Sequence, residues 1–324
     1  MLKYGGIPPV FSAFKKGRSH LASPLSFFPM LFFSFQIRYN KEKFYLGGKI
    51  FMAYLQLNFE SQCLQGNTAI SVILPDKTRG LTPREFYSQE KKYKVLWLLH
   101  GTFGDHSDWI RKSNIELYAC ERDLIVVMPS ALNSNYANWP EFSIGYNMYD
   151  FLTEELMPLI SGWFPASDKR EDNFIAGLSM GGRGTCVYAF SHPEKFAAAA
   201  VLSACPRNIE LLPEMEPGMW ERTQGSIKNA GGLEAYLASY ENTWRIAGEK
   251  AKTGELPRLY FATGKNDMFY GAFLEFQKYA EKIGLDAEFE AIDGYAHEWR
   301  FWDLTIQHAL AFFGLDDAGA GNPF

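Results

Sequence analysis

The stretch 173–190, NFIAGLSMGGRGTCVYAF, runs from an apolar segment into glycines crowded around one serine and out again with a different rhythm. Glycine loses more backbone freedom on folding than any other residue, so Gly177, Gly181, Gly182 and Gly184 beside Ser179 call for a reason. Gly177-Leu178-Ser179-Met180-Gly181 fits G-x-S-x-G, in which a buried strand turns sharply into a helix and flanking side chains would strike the neighbouring elements. The turn sets the serine hydroxyl at a helix N-terminus, whose free N–H groups favour developing negative charge. A strand–helix turn that only needs packing room would read the same way, since short motifs match by chance. The rest of the chain must therefore supply the partners.

The chain has 324 residues, 47% hydrophobic and 21% charged, ample for a core in one large α/β domain or two small ones. Cys63, Cys120, Cys186 and Cys205 are widely spaced with no C-x-x-C, and read as reduced core thiols rather than a disulfide frame or a zinc site. Eight Lys/Arg and one acid fall within residues 1–51, a net +7, which leaves −12 on the remainder of a chain whose total is −5. So acidic a body argues against a nucleic-acid partner.

Residues 1–51 are also rich in phenylalanine and follow no clear period. A signal peptide is one reading, but Pro24 and Pro29 break the apolar run, no A-x-A-like cleavage site follows, and the run is too short for the roughly 20 residues of a bilayer span. Gly47-Gly48-Lys49 back-translates to a purine-rich string like a bacterial ribosome-binding site, a short spacer before Met52. The expectation is a native start at Met52, with 1–51 a non-native or disordered extension, a catalytic domain over 52–316, a flexible tail over 317–324, and a cytoplasmic location.

From Met52 the pattern is orderly. AYLQLNF and TAISVILP read as strands around a turn at 64–67, and YKVLWLLH and LIVVMPS as strands buried on both faces. WIRKSNIELYACERD and YDFLTEELMPLISGWF have helical spacing. After the strand NFIAGLS come a helix over about 181–192, then AAAAVLSA, a region at 206–256 of different texture, the strand RLYFATG, the helix GAFLEFQKYAEKIG, the strand AEFEAID and a last helix near 299–313. This alternation predicts a mostly parallel sheet with helices on both faces. The partly helical segment 206–256 is inserted before RLYFATG and is either a cap over the site or an oligomer surface.

A serine needs a base to act as a nucleophile, and in such a fold the base follows the last strand, with an acid between the two in chain order. Of six histidines, His20 lies in the doubtful extension, His192 and His308 read as helix residues, and His100 and His106 precede the serine. His297, in AIDGYAHEWRFW, occupies the loop between the last strand and the last helix and is taken as the base. Asp267, just after RLYFATG, is taken as the acid; Asp286 sits at the wrong end of its strand, and Asp293 is better placed to shape a turn, although it stays open. An oxyanion hole needs the N–H of Met180 and one from the loop LLHGTFGDHSDW, where Gly101 permits close approach and Thr102 is the donor. His100, Asp105, His106 and Asp108 lack the H-x-H-x-D-H spacing of binuclear hydrolases, so no metal and no cofactor is expected.

LLHGTFGDHSDW, GYNMYDFLTEELMPLI, NFIAGLSMGGRGT, ATGKND and YAHEWRFWD together resemble the esterase D group of α/β-hydrolases, which includes tributyrin and acetyl esterases, S-formylglutathione hydrolases, feruloyl and acetylxylan esterases, and mycolyltransferases. The resemblance covers about 52–314 and implies an α/β-hydrolase fold with Ser179 as nucleophile, Asp267 as acid and His297 as base. HGTFG and GLSMGG look closer to the small-acyl branch than to S-formylglutathione hydrolases, which implies a carboxylesterase for acetyl to butyryl esters. A glutathione or carbohydrate esterase, an acyltransferase and a non-catalytic binding protein are the alternatives. Phe103, Trp139, Phe269 and Trp299 lie near the motifs and are candidates to wall the substrate site, each equally a core residue by type. The partner expected is a small-molecule ester, with a homo-oligomer open and no membrane surface.

Overall fold

The computed structural model describes residues 51–77 and 81–315; the expected extension, apart from Phe51, and the tail 317–324 lie outside the described residues. β1 (Phe51–Ser61) and β2 (Gly66–Asp76) form an antiparallel hairpin whose turn falls at 62–65, slightly earlier than its polar residues suggested. Then come β3 (Val95–Leu99), β4 (Ile125–Pro129), β5 (Asn173–Leu178), β6 (Ala198–Leu202), β7 (Arg258–Gly264) and β8 (Ala287–Ile292). They build one sheet in the order β1-β2-β4-β3-β5-β6-β7-β8. β2 joins β4 antiparallel, and every later neighbour is parallel. The order reverses direction around β3, which opens a crevice outside the carboxyl ends of β3 and β5, where ligands bind in open α/β sheets.

The central strands are apolar throughout because both faces are covered. Along β3, Val95, Trp97 and Leu99 join one core, while Leu96 and Leu98 join the other. The first core is closed by the helical run from Met148 to Trp163, by α1 (Met180–Ser191) and by α3 (Tyr270–Ile283). The inserted segment carries α2 (Pro217–Asn229). The second is closed by Trp109, Ile115 and Tyr118 and by α4 (Trp299–Phe312). β6 begins with three alanines, the residue most content in a helix, yet it is a strand. The small side chains let α1 and α4 approach the sheet from opposite faces, and burial of Val201 and Leu202, at about 1.5–3 kcal/mol for a full side chain, outweighs the local preference.

The spacing of WIRKSNIELYACERD suggested one helix, but the segment forms two, Asp108–Lys112 and Ile115–Cys120. Ser113 is extended at the break, its hydroxyl donates back to the Trp109 carbonyl at 2.6 Å, and the Asn114 N–H donates to Asp303 of α4 at 2.9 Å. Tertiary hydrogen bonds thus replace one helical turn. No cysteine is in a disulfide, and Cys120, Cys186 and Cys205 are buried. No helix among the described residues is long and apolar enough to cross a membrane.

Glu155 ties the hairpin to the helical run. Its carboxylate accepts from Ser61 Oγ at 2.7 Å and from the Gln62 and Cys63 N–H groups at 3.0 Å. Burial alone would raise its pKa, but these three donors more than offset that and hold it below the ordinary glutamate value. A carboxylate with a depressed folded pKa stabilises the fold above its unfolded pKa and loses that contribution as pH falls through the folded value. Glu155→Ala should therefore lower stability by about 1–3 kcal/mol at pH 7, with the deficit shrinking below about pH 4. Urea melts of both proteins at pH 7 and pH 3.5 check this.

Candidate active site

The carboxyl ends of β3, β5, β6, β7 and β8 meet at the crevice. β5 ends at Leu178, and Ser179 turns the chain into α1 at φ 52°, ψ −114°, a backbone conformation that side-chain-bearing residues rarely adopt. The Ser179 N–H donates to the Leu202 carbonyl of β6 at 2.8 Å, which holds the turn in place. The glycines on either side are required by contact. A Cβ on Gly177 would lie 2.4 Å from the Gly181 backbone, and one on Gly181 would lie 2.5 Å from the Leu99 carbonyl oxygen and 2.6 Å from that of His100.

His297 follows β8 and meets Ser179 directly. Its Nε2 is 2.9 Å from Ser179 Oγ, and its Nδ1 is 2.9 Å from Asp267 Oδ2. Asp267 follows β7, and its side chain is wholly buried. Burial pushes its pKa up, yet hydrogen bonds from His297, the Phe269 N–H and Ser203 pull harder, so the carboxyl stays below the ordinary aspartate value and is ionised at neutral pH. An acceptor on Nδ1 makes that nitrogen the protonated one and leaves Nε2 able to accept from the serine hydroxyl. Trp302 and Phe269 stand edge-on to the imidazole with ring centroids 5.0 and 5.2 Å away, limiting its rotation. The other carboxylate considered, Asp293, points away and pairs with Lys265 at 3.0 Å on the surface.

The loop after β3 lies against the elbow. His100 is buried; its Nδ1–H donates to the Gly101 carbonyl at 2.7 Å and its Nε2 accepts the Ala131 N–H at 2.9 Å, the tautomer this pair of partners demands. Burial lowers its pKa, so it is neutral. Tyr136 Oη donates to the His100 carbonyl at 3.0 Å, and Trp109 Nε1 donates to the Leu99 carbonyl at 3.1 Å. So braced, the loop brings Thr102 to the same cavity as Met180, and neither N–H has a hydrogen-bond partner among the described residues. His106 bonds Ser71 Oγ at 2.7 Å, and no group of three or more His, Cys, Asp or Glu among the described residues is placed to hold a metal ion.

The cavity beside Ser179 measures about 50 Å³, well below the roughly 300–1,000 Å³ of sites for drug-sized ligands. Thr102, Met180 and Phe269 line it. Phe103, Trp139 and Trp299 do not: Phe103 is 91% exposed at φ 63°, Trp139 donates to the Ser134 carbonyl at 2.7 Å beside a separate groove, and Trp299 packs edge-on to Trp109 and Trp302. Sequence reasoning passed over Arg183, Arg207 and Arg222, which also line the cavity. Arg183 was findable, being four residues past Ser179 and hence on the same side of α1. Arg222 was not: it arrives on α2, from the inserted segment, which also brings Met219 and Thr223 to the cavity wall.

The pattern that defines the Esterase family matches residues 61–313. An acetyl esterase of Caldicellulosiruptor saccharolyticus is 28% identical over 263 residues, 80% of this chain and 97% of that protein. Among solved structures, the Staphylococcus aureus fluorophosphonate-binding serine hydrolase FphF superposes with a TM-score of 0.70 at 31% identity, covering 82% of this chain and 99% of that one. The S-formylglutathione hydrolase FrmB of the same organism gives 0.68 at 31% identity, covering 82% and 100%. The sheet order and these likenesses together make the architecture that of an α/β-hydrolase.

Gly181→Ala should lower stability by about 1–3 kcal/mol or more, because backbone of β3 cannot move aside. Gly218→Ala on α2, where the added methyl meets nothing within 4 Å, should raise stability by about 0.4–1 kcal/mol. Urea midpoints of the two variants check the contrast.

Proposed function

The chain belongs to the esterase family, and from that premise we propose that it is a serine carboxylesterase hydrolysing short-acyl esters through Ser179, His297 and Asp267. The observation that carries this is the continuous relay from Asp267 Oδ2 through His297 to Ser179 Oγ, each step 2.9 Å, beside two unused N–H groups.

In the first step His297 Nε2 takes the Ser179 proton as Oγ attacks the ester carbonyl, and Asp267 stabilises the resulting imidazolium. The carbonyl oxygen gathers negative charge as the tetrahedral intermediate forms. The N–H groups of Met180 and Thr102 are the donors for it, and such a donor contributes about 2.7–4 kcal/mol of transition-state stabilisation. His297 then returns its proton to the departing alkoxide, leaving an acyl group on Ser179. Water, deprotonated by the same imidazole, releases the acid and restores the serine.

A small cavity supports a small acyl group. Each methylene that can be buried gains about 0.8 kcal/mol, so an open tunnel would give rates that climb with chain length, whereas a 50 Å³ space gives an early maximum. Across 4-nitrophenyl esters from acetyl to decanoyl, with Ser179→Ala as blank, kcat/KM should peak between acetyl and butyryl. A maximum at octanoyl or beyond would defeat the short-acyl reading.

The choice of carboxylate is tested separately. Asp267→Asn should lower kcat by about four orders of magnitude, since the amide favours the wrong imidazole tautomer. Asp293→Asn, which removes only a surface ion pair with Lys265, should change kcat by less than about twofold. A reversal of that ranking would reassign the acid.

A further inference from the structure

Three arginines line the cavity beside Ser179, and their charges are not balanced. Arg183 donates from Nη2 to Glu241 at 2.8 Å, and Arg207 donates from Nε to both oxygens of Glu216 at 3.1 and 2.9 Å. Both carboxylates are buried, at 4% and 9% side-chain exposure, and each neutralises the arginine it meets. Arg222 forms no ion pair among the described residues. Its side chain reaches from α2 and donates from Nη2 to Oγ1 of Thr102, which lines the same cavity, at 3.2 Å. The cavity wall beside Ser179 thus carries one guanidinium, open to solvent, with no ion pair among the described residues.

The donors themselves are also underused. Nε of Arg183 is buried and has no hydrogen-bond partner. A buried donor left unpaired costs about 1–3 kcal/mol, and a water or a ligand oxygen would relieve it. Arg207 is stacked with its guanidinium 4.6 Å from the Phe269 ring centre, a cation–π contact that adds to its pairing with Glu216. Burial, then the like charges of Arg183 and Arg207, lower the pKa of Arg222. Arginine stays protonated in proteins regardless, and the two neighbouring guanidinium groups add to what burial already does.

We infer that the ester hydrolysed here carries a carboxylate close to its scissile carbonyl, bound by Arg222 with Arg183 behind it. This rests on the esterase reading above. A carboxylate matches the planar fork of a guanidinium in two parallel hydrogen bonds, and it would cancel the surplus charge while leaving the Met180 and Thr102 N–H groups for the oxyanion. The carboxylate can sit on the acyl side or the alcohol side of the ester bond, and matched substrates tell these apart.

On the alcohol side, 4-acetoxybenzoate is compared with 4-acetoxybenzamide. On the acyl side, the 4-nitrophenyl monoester of glutaric acid is compared with 4-nitrophenyl glutaramate. Spontaneous hydrolysis is subtracted with Ser179→Ala. In one pair kcat/KM should favour the carboxylate over the neutral amide by about tenfold or more, as a charge-assisted hydrogen bond implies, and the preference should shrink as salt is raised. The readout is the ratio within a pair, so it holds whatever a substitution does to the overall rate. Arg222→Met should collapse the ratio toward one, and Arg222→Lys should keep part of it. Arg245→Met, remote on a helix and paired with Glu249, should leave it unchanged. No carboxylate preference in either pair, or a preference that survives Arg222→Met, overturns the inference and leaves the esterase reading standing. Absence of Ser179-dependent hydrolysis of all four esters overturns both.

Discussion

The structure turns on one close approach of two backbones. At the start of α1, Gly181 lies against the carbonyls of Leu99 and His100 at the end of β3, where no Cβ would fit. That contact brings the loop after β3 beside the elbow after β5. Without it the serine would stand at a helix N-terminus with nothing opposite. The strained dihedrals of Ser179, of a kind that cost about 1–3 kcal/mol, persist because β6 accepts the Ser179 N–H and because the surrounding sheet is buried on both faces.

Around this contact the polar groups are ordered by burial. His100, Tyr136 and Trp109 each place a hydrogen bond on the β3 loop or on the strand end that carries it, and each is buried, so the bonds are shielded from water. On the far side, Trp302 donates to Ser203 Oγ at 3.0 Å while its ring faces His297 edge-on. Ser179, His297 and Asp267 are thereby positioned by strand ends and by packed aromatic rings, both stiffer than a free loop. Positioning of this kind lowers a barrier because little has to reorganise when charge develops.

The inserted segment adds what the sheet lacks. α2 carries Met219, Arg222 and Thr223 to the cavity, so the same helix both narrows the space and charges it. The electrostatics of the site are then set by pairing more than by the count of arginines. Glu241 and Glu216 silence two of them, and the third, Arg222, lines the same cavity as Ser179 with no ion pair among the described residues.

Much of this was legible in the chain. Period and punctuation located the strands, and the glycine spacing around Ser179 implied a steric need that the contacts with β3 explain. Ser179, Asp267 and His297 were singled out because chain order and strand ends constrain where a nucleophile, an acid and a base can stand, and the structure brings those three side chains within 2.9 Å of one another in series. Other features depended on three-dimensional packing. The break at Ser113–Asn114 follows from a hydrogen bond to Asp303 far along the chain, and the alanines of β6 form a strand because two helices close on it. Phe103 and Phe269 are the same residue type beside equally suggestive motifs, yet one is exposed and the other lines the cavity, since aromatic character says nothing about direction. Local sequence determines what a segment can be, through dihedral limits, apolar period and residue chemistry. Which side chains share a cavity, and whether Arg222 meets a carboxylate there, is decided only when segments distant in sequence pack together, because pairing depends on distances that no local pattern encodes.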